Sequence, residues 1–208
     1  MKVSLKRVVP MVLAAATLVA SLSACVPLVV GGGFASGVMV AMDRRTSGAQ
    51  LEDQGIELRG ANRIKEALGE NARVSVTSYN RQVLLTGEVA RTEDIQRAEQ
   101  IVAKVENVSS VVNDLAVGIP AALTQRSNDL LITSKVKASL IDAKDLQANA
   151  FKVVTERNVV YLMGRVTTRE ANRATEIARG VKDVAKVVRV FETLTEEELA
   201  RLGQQPAK

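Results

Sequence analysis

One strand is written twice in this chain, and that repetition constrains the fold more than any other feature. Val159-Val-Tyr-Leu-Met-Gly-Arg-Val166 repeats, in residue character, the earlier stretch Gln82-Val-Leu-Leu-Thr-Gly-Glu-Val89. Each is an apolar, β-branched run that closes on a glycine, Gly87 or Gly164. Each is followed by polar residues suited to a helix start: Thr92 and Glu93, or Thr168, Arg169 and Glu170. Such runs read as buried strands, and a glycine inside one marks a bulge or a close backbone approach. Extending outward from the two glycines aligns the halves of the molecule, so the 208 residues hold an internal repeat. Two units of about 65 residues follow, small enough for docking between them to matter for stability.

The same pattern surrounds each strand. The first repeat spans residues 53–118. Ile64 and Leu68, with Ala61 and Ala67, form a helical stripe; Val74 and Val76 alternate with polar residues, and Tyr79-Asn80-Arg81 turns the chain. A second helix carries Ile95, Ala98, Ile101, Val102 and Val105, and a last strand runs through Val111, Val112, Leu115 and Val117. The second repeat spans 127–193, after a linker at 119–126. Ser127-Asn128-Asp129 reads as a helix cap, and Ile132, Val136 and Leu140 as the stripe. Phe151 and Val153 match Val74 and Val76, and Glu156-Arg157-Asn158 is the turn. Ala171, Ala174, Ile177, Ala178 and Val181 match the second helix. Five extra residues after the first helix and one fewer near the second keep the register. The fold class is α+β, two tandem α-β-β-α-β units, each a three-stranded sheet with both helices on one face. Val159, Tyr161 and Met163 add a second apolar face to their strand, so the other side of the sheet is expected to dock on the partner repeat. Residues 194–208 read as a polar tail.

The amino terminus carries a separate signal. Lys2, Lys6 and Arg7 precede an apolar stretch too short to span a membrane comfortably, and Leu22-Ser23-Ala24-Cys25 follows. This matches the lipobox of bacterial lipoproteins, with residues 1–24 as signal peptide and Cys25, the sole cysteine, as the diacylated, palmitate-bearing residue. Acyl chains on thiol and amine exceed the single-chain limit for stable anchoring. Val26 follows the cysteine where an aspartate would favour retention at the inner membrane, so the outer membrane is expected. Residues 25–52 then read as a lipid-anchored, glycine-rich tether.

Composition removes several function classes. The isoelectric point of about 9.5 owes much to Lys2, Lys6 and Arg7; beyond residue 24 the net charge is only +2. Five scattered aromatics (Phe34, Tyr79, Phe151, Tyr161, Phe191) offer no base-stacking platform, so no nucleic-acid partner is expected. There is no histidine, and Cys25 is committed to lipid, so the common nucleophile–base pairs are missing. Glu88, Glu93, Asp94 and Glu99 read as solvated charges on polar helix faces. Neither calcium, zinc nor phosphate-loop spacing occurs, and Gly31-Gly-Gly33 lies outside any strand–loop–helix pattern. No catalytic residue, metal site or cofactor is expected, and the chain is read as not an enzyme.

The repeats and the lipobox together resemble the dual BON-domain outer-membrane lipoproteins. The resemblance covers about residues 46–193. It is strongest in Asn128-Asp129, Ile132-Thr133, Lys135-Val136, Lys152-Val153, Leu162-Met163-Gly164 and Arg169-Glu170-Ala171, with Asp43-Arg44-Arg45 as lead-in. It implies a lipid-anchored protein facing the periplasm that supports cell-envelope integrity, often enriched at division sites. It also implies binding of anionic phospholipid through the second BON domain. The sequence departs from the pattern at Leu131, where an aromatic is expected, and at Arg189, where the first repeat keeps Asn113.

Charge and helical spacing point to the same surface. The first repeat holds 8 basic and 10 acidic residues, the second 12 and 8. With Ile132 facing the core, Leu130, Ser134, Lys137 and Ile141 face outward and Leu131 lies on the flank, whereas Arg59, Asn62 and Glu66 supply a polar outer face in the first repeat. Leu130, Leu131, Ser134, Lys135, Lys137 and Ile141 are therefore the candidate phospholipid-binding residues. The competing reading is a protein-interaction adaptor for outer-membrane assembly or cell-wall machinery, with an envelope-protein partner and lipid serving only as anchor.

Overall fold

The computed structural model describes residues 43–69 and 72–202. The elements run α1 (Ser47–Leu68), β1 (Arg73–Tyr79), β2 (Gln82–Val89), α2 (Thr92–Ala103) and β3 (Ser110–Val117), then α3 (Leu123–Asp142), β4 (Phe151–Glu156), β5 (Val159–Thr167), α4 (Thr168–Gly180), β6 (Lys186–Leu194) and α5 (Glu196–Leu202). Both halves have the expected α-β-β-α-β order. The repeated strand is the middle one in each sheet, paired antiparallel with the strand before it and parallel with the strand after it.

The glycines mark a close approach. Gly87 has φ +117°, and a Cβ there would meet the Arg73 carbonyl oxygen at 2.0 Å; a Cβ at Gly164 would meet the Ala150 oxygen at 2.5 Å. The hairpins turn on pairs of left-handed residues, Asn80 and Arg81 (φ 49° and 69°), and Arg157 and Asn158 (φ 49° and 63°). Such two-residue turns match the twist of the flanking strands.

Both first helices begin earlier than their apolar stripes suggest. Thr46 caps α1, its hydroxyl accepting from the Ala49 amide at 3.1 Å, so helix occupies residues 47–52, read above as tether. Helix α3 starts at Leu123, within the stretch read as linker. Asp129 is consequently no cap. It is buried inside the helix, where its carboxylate accepts from the Arg157 and Asn158 amides at 3.0 and 2.9 Å. Asp53 does the same for the Asn80 and Arg81 amides, both at 2.8 Å. These two aspartates, 76 positions apart, tie each first helix to its hairpin and set the true alignment. Leu140 matches Ile64 rather than Leu68, and the second repeat has one extra residue after its first helix, not five.

Helix-facing residues of each sheet form separate cores. Ile56, Val83, Leu85, Val89, Ala98 and Val102 fill the first; Ile132, Val136, Val160, Leu162, Val166 and Ala174 fill the second. The opposite sheet faces meet each other. Tyr79 and Leu84 pack there against Tyr161, Met163 and Val190, with Val159 at the edge. This is the docking expected from the doubly apolar strand, and it yields the layers helix, sheet, sheet, helix.

Candidate membrane-facing site

Cys25 lies outside the described residues. The other candidates all sit on α3, a helix of 20 residues. Ile132, Val136 and Leu140 bury the inner face at 1% exposure or less, while Leu130, Leu131 and Ile141 remain 69, 60 and 68% exposed. Lys137 stands beside Ile141, and both line a cleft of about 510 Å³ together with Asp43, Gln50, Phe151 and Val153. The Ser134 hydroxyl donates back to the Leu130 carbonyl at 2.9 Å. Lys135 is on the side of the helix and is engaged, its ammonium 3.1 Å from Asp183. Lys135 therefore separates from the outward set, whereas Leu130, Ser134, Lys137 and Ile141 form one stripe.

Two residues of this stripe escaped the sequence reading because they fall in the supposed linker. Leu123 is 68% exposed and stands seven positions before Leu130, two helical turns away on the same face. Arg126 is exposed one turn further on. The spacing Leu123–Leu130 was the available signal. Arg126 and Lys137 make no ion pair among the described residues.

The corresponding helix of the first repeat is not wholly polar outside. Leu51 and Leu58 are 70 and 65% exposed, which corrects the face drawn through Arg59, Asn62 and Glu66. Leu51 falls within the stretch read as tether, and Leu58 lies beside the face drawn there.

Two of the carboxylates read as solvated, Glu88 and Asp94, are buried, whereas Glu93 and Glu99 are exposed as expected. Glu88 is on β2 and fully buried, facing the second repeat. It accepts from Arg73 at 2.9 Å, from Arg157 at 2.6 Å and from the Ala121 amide at 3.2 Å. Burial pushes its pKa up, but the hydrogen bonds from Arg73 and Arg157 outweigh that and hold the carboxyl below its ordinary range. Arg73 also pairs with Glu156, so four charges bridge the two repeats. Asp94 is buried as well, held by Arg91 at 3.0 Å. On the other side of the junction Tyr161 donates to Asp114 at 2.6 Å, and Lys152 pairs with Glu57 at 2.7 Å.

The profile of the BON domain family matches residues 61–119 and 128–194. The chain belongs to the BON-domain family. Each matched stretch holds the hairpin, second helix and last strand of one BON domain, together with the later part of its first helix. The outer membrane lipoprotein DolP of Haemophilus influenzae is 35% identical over 175 residues, 83% of this chain and 90% of that one. The 21 kDa hemolysin of Actinobacillus pleuropneumoniae is 35% identical over 152 residues, 72% of this chain and 78% of its own. Among solved structures, the type III secretion protein CdsD of Chlamydia trachomatis aligns with 70% of this chain at 14% identity and a TM-score of 0.29. Family and relatives point to a binding protein rather than an enzyme. Among the described residues no helix is long and apolar enough to cross a membrane.

Proposed function

We propose that this chain is a lipid-anchored outer-membrane lipoprotein facing the periplasm, and that its second BON domain rests on anionic phospholipid through α3. Acylated Cys25 supplies the anchor, and the contact supports envelope integrity, with enrichment at division sites as the resemblance implies. The observation that carries this reading is the outer face of α3. Leu123, Leu130 and Ile141 recur along about 30 Å of helix at 68–69% exposure, with Leu131 on the flank and Arg126 and Lys137 between them. Aliphatics flanked by basic residues on one face are what an interfacial helix needs. Each basic residue near an anionic surface contributes about 1 kcal/mol. Similarity to the outer membrane lipoprotein DolP supports the location.

The test uses the chain without its acylated cysteine and vesicles containing phosphatidylglycerol. Leu130→Glu with Leu131→Glu should leave the thermal midpoint within a few degrees and weaken co-sedimentation at least tenfold. Undiminished binding would place the contact elsewhere.

A second reading is a protein-interaction adaptor, and Leu51 with Leu58 on α1 favours it. Their exposure on the less basic domain suits a protein partner better than an anionic surface. Crosslinking from position 58 in whole cells separates the two readings, since an adaptor gives a discrete protein adduct.

A further inference from the structure

Two neighbouring arginines at the start of the described chain each hold a different BON domain. Arg44 grips the second: its guanidinium donates to both Glu170 oxygens at 2.7 and 2.8 Å and to the Arg165 carbonyl at 2.8 Å. The side chains of this pair are 6 and 4% exposed. Arg45 grips the first, donating to Asp53 at 2.9 Å and lying 4.2 Å from the centre of the Tyr79 ring. Asp43 accepts from Arg45 at 2.8 Å and fixes its direction. The acceptors are key joints of each domain. Asp53 holds the first hairpin turn, and Glu170 completes the capping box of α4 with Thr167.

The place where this segment enters matters as much as what it grips. Asp43 and Gln50 line the same cleft as Lys137 and Ile141, at the carboxyl-terminal end of α3. Asp43 stands 18 positions after Cys25, a reach of at most about 60 Å when fully extended.

We propose that residues 43–45 are a strap that locks the two BON domains together and holds the tether's entry point beside α3, so that the acyl anchor and α3 meet the same leaflet. The proposal rests on the lipid-facing reading of α3. Two contacts joined by a linker reinforce each other only when geometry lets both engage at once. A strap gripping both domains sets that geometry; a chain attached at one point would let the body swing away. Bidentate arginine pairs suit the task because their planar donors fix direction as well as distance.

The experiment uses the acylated mature chain in vesicles containing phosphatidylglycerol and brominated lipid, with a fluorophore on Ser134→Cys. With the strap intact the fluorophore should be quenched. With Arg44→Gln and Arg45→Gln, quenching should fall at least twofold while the protein stays vesicle-bound through its acyl chains. Circular dichroism checks the fold. If that variant unfolds, Arg44→Lys, which keeps the charge without the bidentate grip, should give an intermediate loss. Equal quenching with and without the strap overturns the proposal while leaving the lipid-facing reading intact. No quenching in the intact chain defeats that reading and the proposal with it.

Discussion

Glu88 shows how much of this molecule is decided by single charged side chains in buried places. Its two oxygens serve Arg73 and Arg157, one from each BON domain, and the Ala121 amide. Removing the charge leaves two guanidinium groups facing an amide, and breaking a buried pair in this way is strongly destabilising. Glu88→Gln should therefore cost about 2–4 kcal/mol, the lower end reflecting the partly exposed arginines, measured as the shift in urea midpoint. Asp53 and Glu170 are held low in the same manner. For both, burial works against ionisation. Ser78, the Arg81 amide and Arg45 overcome it at Asp53; Arg44 and the Thr167 amide overcome it at Glu170. Groups with depressed folded pKa values bind fewer protons when folded, so their stabilisation is complete above their unfolded values near about 4. It is lost as pH falls through the folded values. The urea midpoint should thus decline below about pH 4, and less steeply in the Glu88→Gln chain.

The middle strands owe their position to the glycine that ends each apolar run. At Gly164 the Ala150 carbonyl approaches so closely that a methyl group would sit 2.5 Å from its oxygen, which is backbone and cannot swing aside. Gly164 pairs with Phe151, so the strain falls at the first residue of β4. Gly164→Ala should cost about 2–4 kcal/mol and speed amide exchange in β4 more than in β6. Equal protection in both strands would mean that the sheet absorbs the methyl by moving as a unit. The helices obey a different control. Asp53 and Asp129 fasten α1 and α3 to their hairpins from inside the helix, which is why Asp129 resembles a cap in sequence and is none in structure. An aspartate beside a predicted helix start is ambiguous, because the same carboxylate serves its own helix or a distant turn.

The two BON domains form one body through their sheets. Tyr79, Leu84, Tyr161, Met163 and Val190 are all buried at this junction, and the surrounding ion pairs close its rim. Burial pushes the Tyr79 hydroxyl up to about 12, and it donates to the Ala150 carbonyl at 3.3 Å. Separating the domains would expose this apolar face at about 25 cal/mol per Å². The chain divided before Leu123 should give halves that each melt below the intact protein. Identical melting temperatures would mean independent domains and would contradict the sheet-to-sheet packing. The same junction carries residues 43–45, so loss of docking should also loosen the attachment of the tether.

The internal repeat, the order of elements, the central glycine strands and the docking face of β5 were all legible from local periodicity. A period of two or 3.6 and a doubly apolar strand are properties of adjacent residues. The outward face of α3 was legible for the same reason, apart from Leu123 and Arg126, which lay beyond the assumed helix start. The alignment of the first helices, the burial of Glu88 and the grip of Arg44 and Arg45 were not. Each depends on a partner far along the chain: Arg157 for Glu88, Glu170 for Arg44, Tyr79 for Arg45. A charged side chain has the same appearance in sequence whether water or a buried counter-charge receives it, and only the folded chain decides which.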